Sequence, residues 1–112
     1  MFTSRIMLLA LLSILLTSCT IDRDRERLMQ EKYPSYPDHI KRAIDETYLV
    51  IGMDKDQVYL TLGPALCKRP VKYRGKEVEA WMYPPGGRDP CVNSQHRVYF
   101  EQERVLNWEK IQ

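Results

Sequence analysis

The chain has 112 residues, with 17 Lys and Arg against 15 Asp and Glu, for a formal net charge of +2. A charge this balanced sets up no global field to recruit nucleic acid, and the length suits one small domain. Glycine and proline contents are ordinary and no internal repeat is visible, so fibrous and solenoid classes drop out.

Residues 1–18 read as a leader. Arg5 is the only charge before an apolar run over residues 6–16, broken only by Ser13. That run is too short to cross a bilayer core of roughly 30 Å as a helix, but it fits a signal-peptide core. Leu16-Thr17-Ser18-Cys19 follows at once and resembles the lipobox of bacterial lipoproteins. The resemblance implies cleavage before Cys19 and a diacylglyceryl group on its sulfur. One acyl chain anchors only marginally and two anchor stably. Thr20, where Asp would favour inner-membrane retention, points to the outer membrane.

Residues 19–37 read as the lipidated cysteine and a flexible tether, because charges alternate from Asp22 to Arg27 and prolines stand at 34 and 37. A coil of roughly 18 residues would hold the domain about 20–25 Å from the lipid. Tyr33 and Tyr36 either form a partner-binding patch or pack over the edge of the domain.

The domain itself spans residues 38–112. A first helix begins at Pro37 or Asp38, with Ile40, Ala43, Ile44 and Thr47 spaced as a buried stripe, and ends near residue 47. A second, shorter helix follows Gly52. Asp54 is its N-cap, Gln57 completes a capping box, and Met53 and Val58 are spaced for a hydrophobic staple. Val58, Thr61 and Leu62 form its inner face. Gly63 is expected to close it in the left-handed conformation, and Pro64 stops it.

After Pro64 the pattern turns to strands. Residues 71–73 and 77–83 flank an Arg74-Gly75-Lys76 turn, and residues 84–90 form a proline- and glycine-rich loop. Two more strands, 97–100 and 105–108, flank the polar turn Glu101-Gln102-Glu103. Helices grouped before strands give an α+β fold, two short helices packed on a three- to four-stranded antiparallel meander. Trp81 is placed inward as the largest apolar contributor, although Ala80 and Met82 could face inward instead.

With Cys19 acylated, Cys67 and Cys91 remain. In a compartment that permits disulfides they read as a structural pair, since neither has a neighbouring His and no CxxC spacing is present. His39 and His96 read as surface or capping residues. Glu77 and Glu79 share a strand face as solvated carboxylates. No base, nucleophile, metal cluster or phosphate loop is evident, so the chain reads as a non-enzyme without a cofactor. Lys68, Arg69, Lys72, Arg74 and Lys76 crowd cations into one hairpin. Lys72 and Arg74, taken to share a strand face, are candidates for an anionic-headgroup surface, against a solvated edge that resists aggregation.

Residues 40–44, the Gly52-Met53-Asp54-Lys55-Asp56-Gln57-Val58 block ending in Leu62-Gly63-Pro64, Trp81-x-Tyr83, and the closing Val98-Tyr99-Phe100 to Arg104-Val105 hairpin resemble the SmpA/OmlA, or BamE-like, family of small outer-membrane lipoproteins. The resemblance covers roughly residues 38–110. It implies a two-helix, antiparallel-sheet unit shared with β-lactamase-inhibitor-like proteins, and a lipid-anchored periplasmic protein–protein interaction module. That module would serve as an accessory or scaffold in outer-membrane protein assembly or envelope maintenance. The rival reading is an inhibitor or ligand-binding lipoprotein acting on an envelope enzyme. Neither reading involves nucleic acid or a small-molecule substrate.

Overall fold

The computed structural model describes residues 23–83 and 96–110. The chain divides into two compact units, Met1–Pro34 and Ser35–Gln112. In the first, helix α1 spans Arg23–Glu31, with Leu28 its buried residue; a 3-10 turn at Tyr33–Ser35 falls across the boundary. This corrects the expectation of a flexible coil there. Arg, Glu, Leu, Met and Gln are all good helix formers, and their summed propensity outweighs the alternation of charge. Asp24 and Arg27 also lie one turn apart, 3.7 Å between charged groups.

The second unit carries α2 (Asp38–Glu46), α3 (Lys55–Leu62) and a four-stranded sheet, β1 (Cys67–Tyr73), β2 (Lys76–Tyr83), β3 (His96–Glu101) and β4 (Arg104–Lys110). The strands pair antiparallel in the order β1-β2-β3-β4, an uninterrupted meander. The α+β expectation holds, with four strands.

Helix α2 buries Ile40, Ala43 and Ile44 as its spacing predicts. Thr47 leaves the stripe: it is exposed, with φ of 62°, and closes the helix. The Thr47 and Tyr48 amides both reach the Ala43 carbonyl, a Schellman-type ending. Val50 to Met53 then forms a hydrogen-bonded turn with Gly52 at φ 90°, a backbone region that strains other residues.

Helix α3 starts as its sequence dictates. The Asp54 carboxylate accepts from the Gln57 amide at 2.8 Å, and the Gln57 side chain accepts from the Asp54 amide at 3.0 Å. Met53 and Val58 are fully buried. The inner face differs from expectation, since Leu60 and Gln57 are buried beside Val58 and Thr61, while Leu62 is only half-buried. Gly63 has φ 86° and ψ −169°, so it is not left-handed helical but lies in a region open essentially to glycine alone.

Two substitutions test this helix. Asp54→Ala should cost about 1 kcal/mol by leaving a first-turn amide uncapped. Apart from its two chain neighbours, nothing stands within 4 Å of where a Gly63 side chain would begin, so Gly63→Val reports chiefly backbone strain. It should cost roughly 1–3 kcal/mol. Urea melts in which Gly63→Val is neutral would overturn this account of the helix end.

Both ends of α3 are fixed to β2. At its start, Lys55 Nζ donates to Glu79; at its close, the Gly63 carbonyl accepts from the Tyr83 hydroxyl at 3.1 Å. Eight helical residues rise about 12 Å, and the four-residue step from 79 to 83 along a strand covers about 13 Å. The helix therefore runs along β2 on the face carrying Glu79, Trp81 and Tyr83, with Trp81 between the two pins. Trp81 is 4% exposed and its ring lies 4.8 Å from that of Phe100.

The other face of the sheet is also apolar and buried. Cys67, Tyr73, Val78, Ala80, Met82 and Tyr99 form one cluster, with Val71 and Leu106 against it. The choice between Trp81 and its neighbours thus dissolves, because β2 is interior on both faces. Strand β1 is longer than its sequence suggests and includes Pro70, which an edge strand tolerates.

The two hairpins close alike. Arg74 and Gly75 have φ of 52° and 81°, so the first turn has two residues and Lys76 already belongs to β2. Gln102 and Glu103, at 52° and 66°, repeat this geometry without glycine. The second hairpin is strapped to the residues before α3. Val105 donates to the Met53 carbonyl at 2.8 Å, Gly52 donates to the Val105 carbonyl at 2.9 Å, and Arg104 reaches the Gly52 carbonyl at 3.0 Å.

Candidate functional site

The strap brings together a charged group that is scattered in sequence. Lys55, at the first position of α3, pairs with Glu79 of β2 and with Glu103 of the second turn, and its ammonium stands 5.8 Å from the Phe100 ring centre. Glu79 also accepts from Trp81 Nε1 at 3.0 Å. Lys68, directly opposite Trp81 on β1, lays its ammonium 4.2 Å from the indole. Burial alone would raise the Glu79 carboxyl, but the hydrogen bonds from Lys55 and Trp81 and nearby positive charge hold it below the usual carboxylate range. For Lys55, burial pulls downward while Glu79 and Glu103 pull harder upward. Glu79, whose side chain is 37% exposed, is therefore a partly solvated carboxylate that also stands at the centre of a small network.

Beside this group lies an open cleft of about 680 Å³. Lys68 and Pro70 line one side, Glu77 and Glu79 the floor, and Phe100 and Glu103 the far side. Three of its carboxylates are met by lysines: Glu79 and Glu103 by Lys55, and Glu101 by Lys76 at 3.4 Å. Among the described residues, no three His, Cys, Asp or Glu side chains could jointly hold a metal ion. His39 and His96 are exposed at the starts of α2 and β3.

The residues singled out in the sequence fall in several places. Cys19 and Cys91 lie outside the described residues, as do the signal peptide over 1–18 and the loop over 84–90. Cys67 is disulfide-bonded and sits at the head of β1, opposite Met82. Tyr33 is half-buried at the start of the 3-10 turn. Tyr36 is half-buried in the second unit. Desolvation first, then the charges of Asp54 and Asp56, push its hydroxyl up to about 12. Packing rather than display describes Tyr36.

Lys72 and Arg74 do not share a strand face. Lys72 stays in β1, facing Glu77 across the ladder. Arg74 leaves the strand to make the turn, and its guanidinium lies 5.1 Å from the Tyr73 ring centre. With Lys76 on Glu101 and Lys68 on Trp81, the basic stretch is distributed rather than massed.

What the sequence does not mark is the exposed apolar surface. Tyr48, Ile51, Leu66 and Trp108 are 41, 58, 61 and 40% exposed. Tyr48 precedes the turn before α3 and Ile51 lies in it, Leu66 precedes β1, and Trp108 lies on the edge strand β4. No helix among the described residues is long and apolar enough to cross a membrane. Comparison of the chain with protein families, curated proteins and solved structures finds no match.

Proposed function

We propose that this chain is a lipid-anchored periplasmic module that works by protein–protein contact on the outer membrane, in the manner of the BamE-like lipoproteins it resembles. In this reading residues 1–18 are removed, Cys19 carries the lipid, residues 19–37 connect it, and residues 38–112 form the working domain. Its role is accessory or scaffolding, in outer-membrane protein assembly or envelope maintenance. The observation that carries the reading is Leu16-Thr17-Ser18-Cys19, placed directly after an apolar leader.

Two experiments test it. Cys19→Ala should abolish fatty-acid labelling and remove the protein from detergent-phase fractions; a variant that still labels and partitions would sink the anchor. Photo-cross-linkers at Ile51 and Trp108 in intact cells should capture a component of a membrane assembly. Capture of a soluble hydrolase instead would favour the inhibitor reading.

A further inference from the structure

A small cavity of about 160 Å³ lies at the turn end of the sheet, lined by Tyr73, Arg74, Lys76, Glu101, Leu106 and Asn107. It has a local cause. The β3–β4 register shifts between Tyr99 and Phe100, whose partners are Asn107 and Val105, so Leu106 is an extra residue in β4. Such a bulge breaks the ladder and opens space at the sheet surface. Leu106 packs toward the buried cluster of Tyr73 and Tyr99, which stack with ring centres 4.2 Å apart.

The walls are fixed before anything enters. Asn107 donates to the Tyr73 hydroxyl at 2.7 Å and accepts from the Trp108 amide at 2.9 Å, so both ends of its side chain are engaged. Arg74 is held at the rim by its turn geometry and by the face of Tyr73. Among the described residues it has no ion pair. The Lys76–Glu101 pair beside it is solvent-exposed. The charged groups on the lining are therefore two cations and one carboxylate.

We propose that this cavity is a docking pocket for a single carboxylate-bearing side chain of a protein partner. The proposal rests on the protein-contact reading above and adds a chemical class to it. The volume is below the roughly 300–1,000 Å³ of pockets that enclose cofactors or drug-sized ligands, and suits one side chain. The Tyr73 ring and Leu106 offer apolar walls to its methylenes. Arg74 offers a planar fork that matches a carboxylate with two parallel hydrogen bonds. Lys76 is spent on Glu101, which leaves Arg74 as the cation available to an incoming carboxylate.

The test is amide NMR on the full-length labelled chain in detergent micelles, titrated with acetyl-Leu-Glu-amide, acetyl-Leu-Gln-amide and inorganic phosphate. The glutamate peptide should give saturable shifts at Tyr73, Leu106 and Asn107. The glutamine peptide should bind about tenfold more weakly, the order expected for one charge-assisted contact. Arg74→Gln should lose the same factor, and Arg74→Lys should recover part of it as a point charge without the fork. Arg74 is exposed in a turn, and unchanged shifts elsewhere would show that the variants are folded. Absence of saturable shifts, equal binding of the two peptides, or indifference to Arg74→Gln would overturn the proposal. Tighter binding of phosphate at the same amides would overturn the carboxylate assignment. None of these readouts depends on the anchor or on the cross-linked partner, so failure of either reading is seen separately.

Discussion

Trp81→Ala should destabilise the domain by roughly 3–5 kcal/mol, the range for removing a buried large aromatic. A unit of this size has a stability of only about 5–15 kcal/mol, so the variant should sit near the edge of folding. The reason is position. Trp81 lies between the two points where α3 is pinned to β2, packs tilted against Phe100 with ring centres 4.8 Å apart, and supports the Lys68 ammonium. Removing the indole opens a cavity and takes the Nε1 donor from Glu79. Trp81→Phe keeps one aromatic ring but loses the rest of the indole and its Nε1–H donor, so its cost should fall between about 1 kcal/mol and that of Trp81→Ala. Urea melts read by far-UV circular dichroism decide the matter; a cost under about 1 kcal/mol for Trp81→Ala would mean the indole is not part of the core. In a Trp108→Phe background, the remaining fluorescence should resist aqueous acrylamide.

Cys67→Ser should be the second large loss. Cys67 is disulfide-bonded, and the chain has two other cysteines, Cys19 and Cys91. We propose Cys91 as the partner, because the lipid occupies the Cys19 sulfur in the proposed mature form. Closing a loop of about 25 residues contributes on the order of 3 kcal/mol in the chain-entropy model. Cys91→Ser should then cost the same as Cys67→Ser, and the double variant should cost no more than either alone. The lipidated, oxidised protein should show no free thiol on alkylation under denaturing conditions. A neutral Cys91→Ser beside a costly Cys67→Ser would assign the bond to Cys19 and overturn the lipid on that sulfur.

The local elements are legible because each rests on interactions within a few residues. Asp54 and Gln57 are three apart, and the capping box forms as their spacing requires. The helical stripe of Ile40, Ala43 and Ile44 is buried because those positions share one face of any helix. The helix α1 was equally local but carried two conflicting signals, alternating charge and strong helix formers. Propensity prevailed.

The candidate site was not legible, for a reason of distance along the chain. Lys55, Glu79 and Glu103 are separated by 24 residues on each side, and no spacing rule joins them. Only the meander, with α3 laid along β2 and the second hairpin strapped to Gly52 and Met53, brings them together. The cavity at Leu106 has the same origin, because a bulge is a property of two paired strands and not of either one. Alternation places Glu77 and Glu79 on one face of β2. It could not say that both faces of β2 are covered, since burial depends on what packs there. The sequence by itself determined where α2 and α3 begin, that the chain reverses near Gly75 and Gln102 and, through Leu16 to Cys19, the expectation of an anchor. The tertiary structure alone decided which charges meet and which apolar side chains stay in water, because those outcomes come from contacts between residues far apart in the chain.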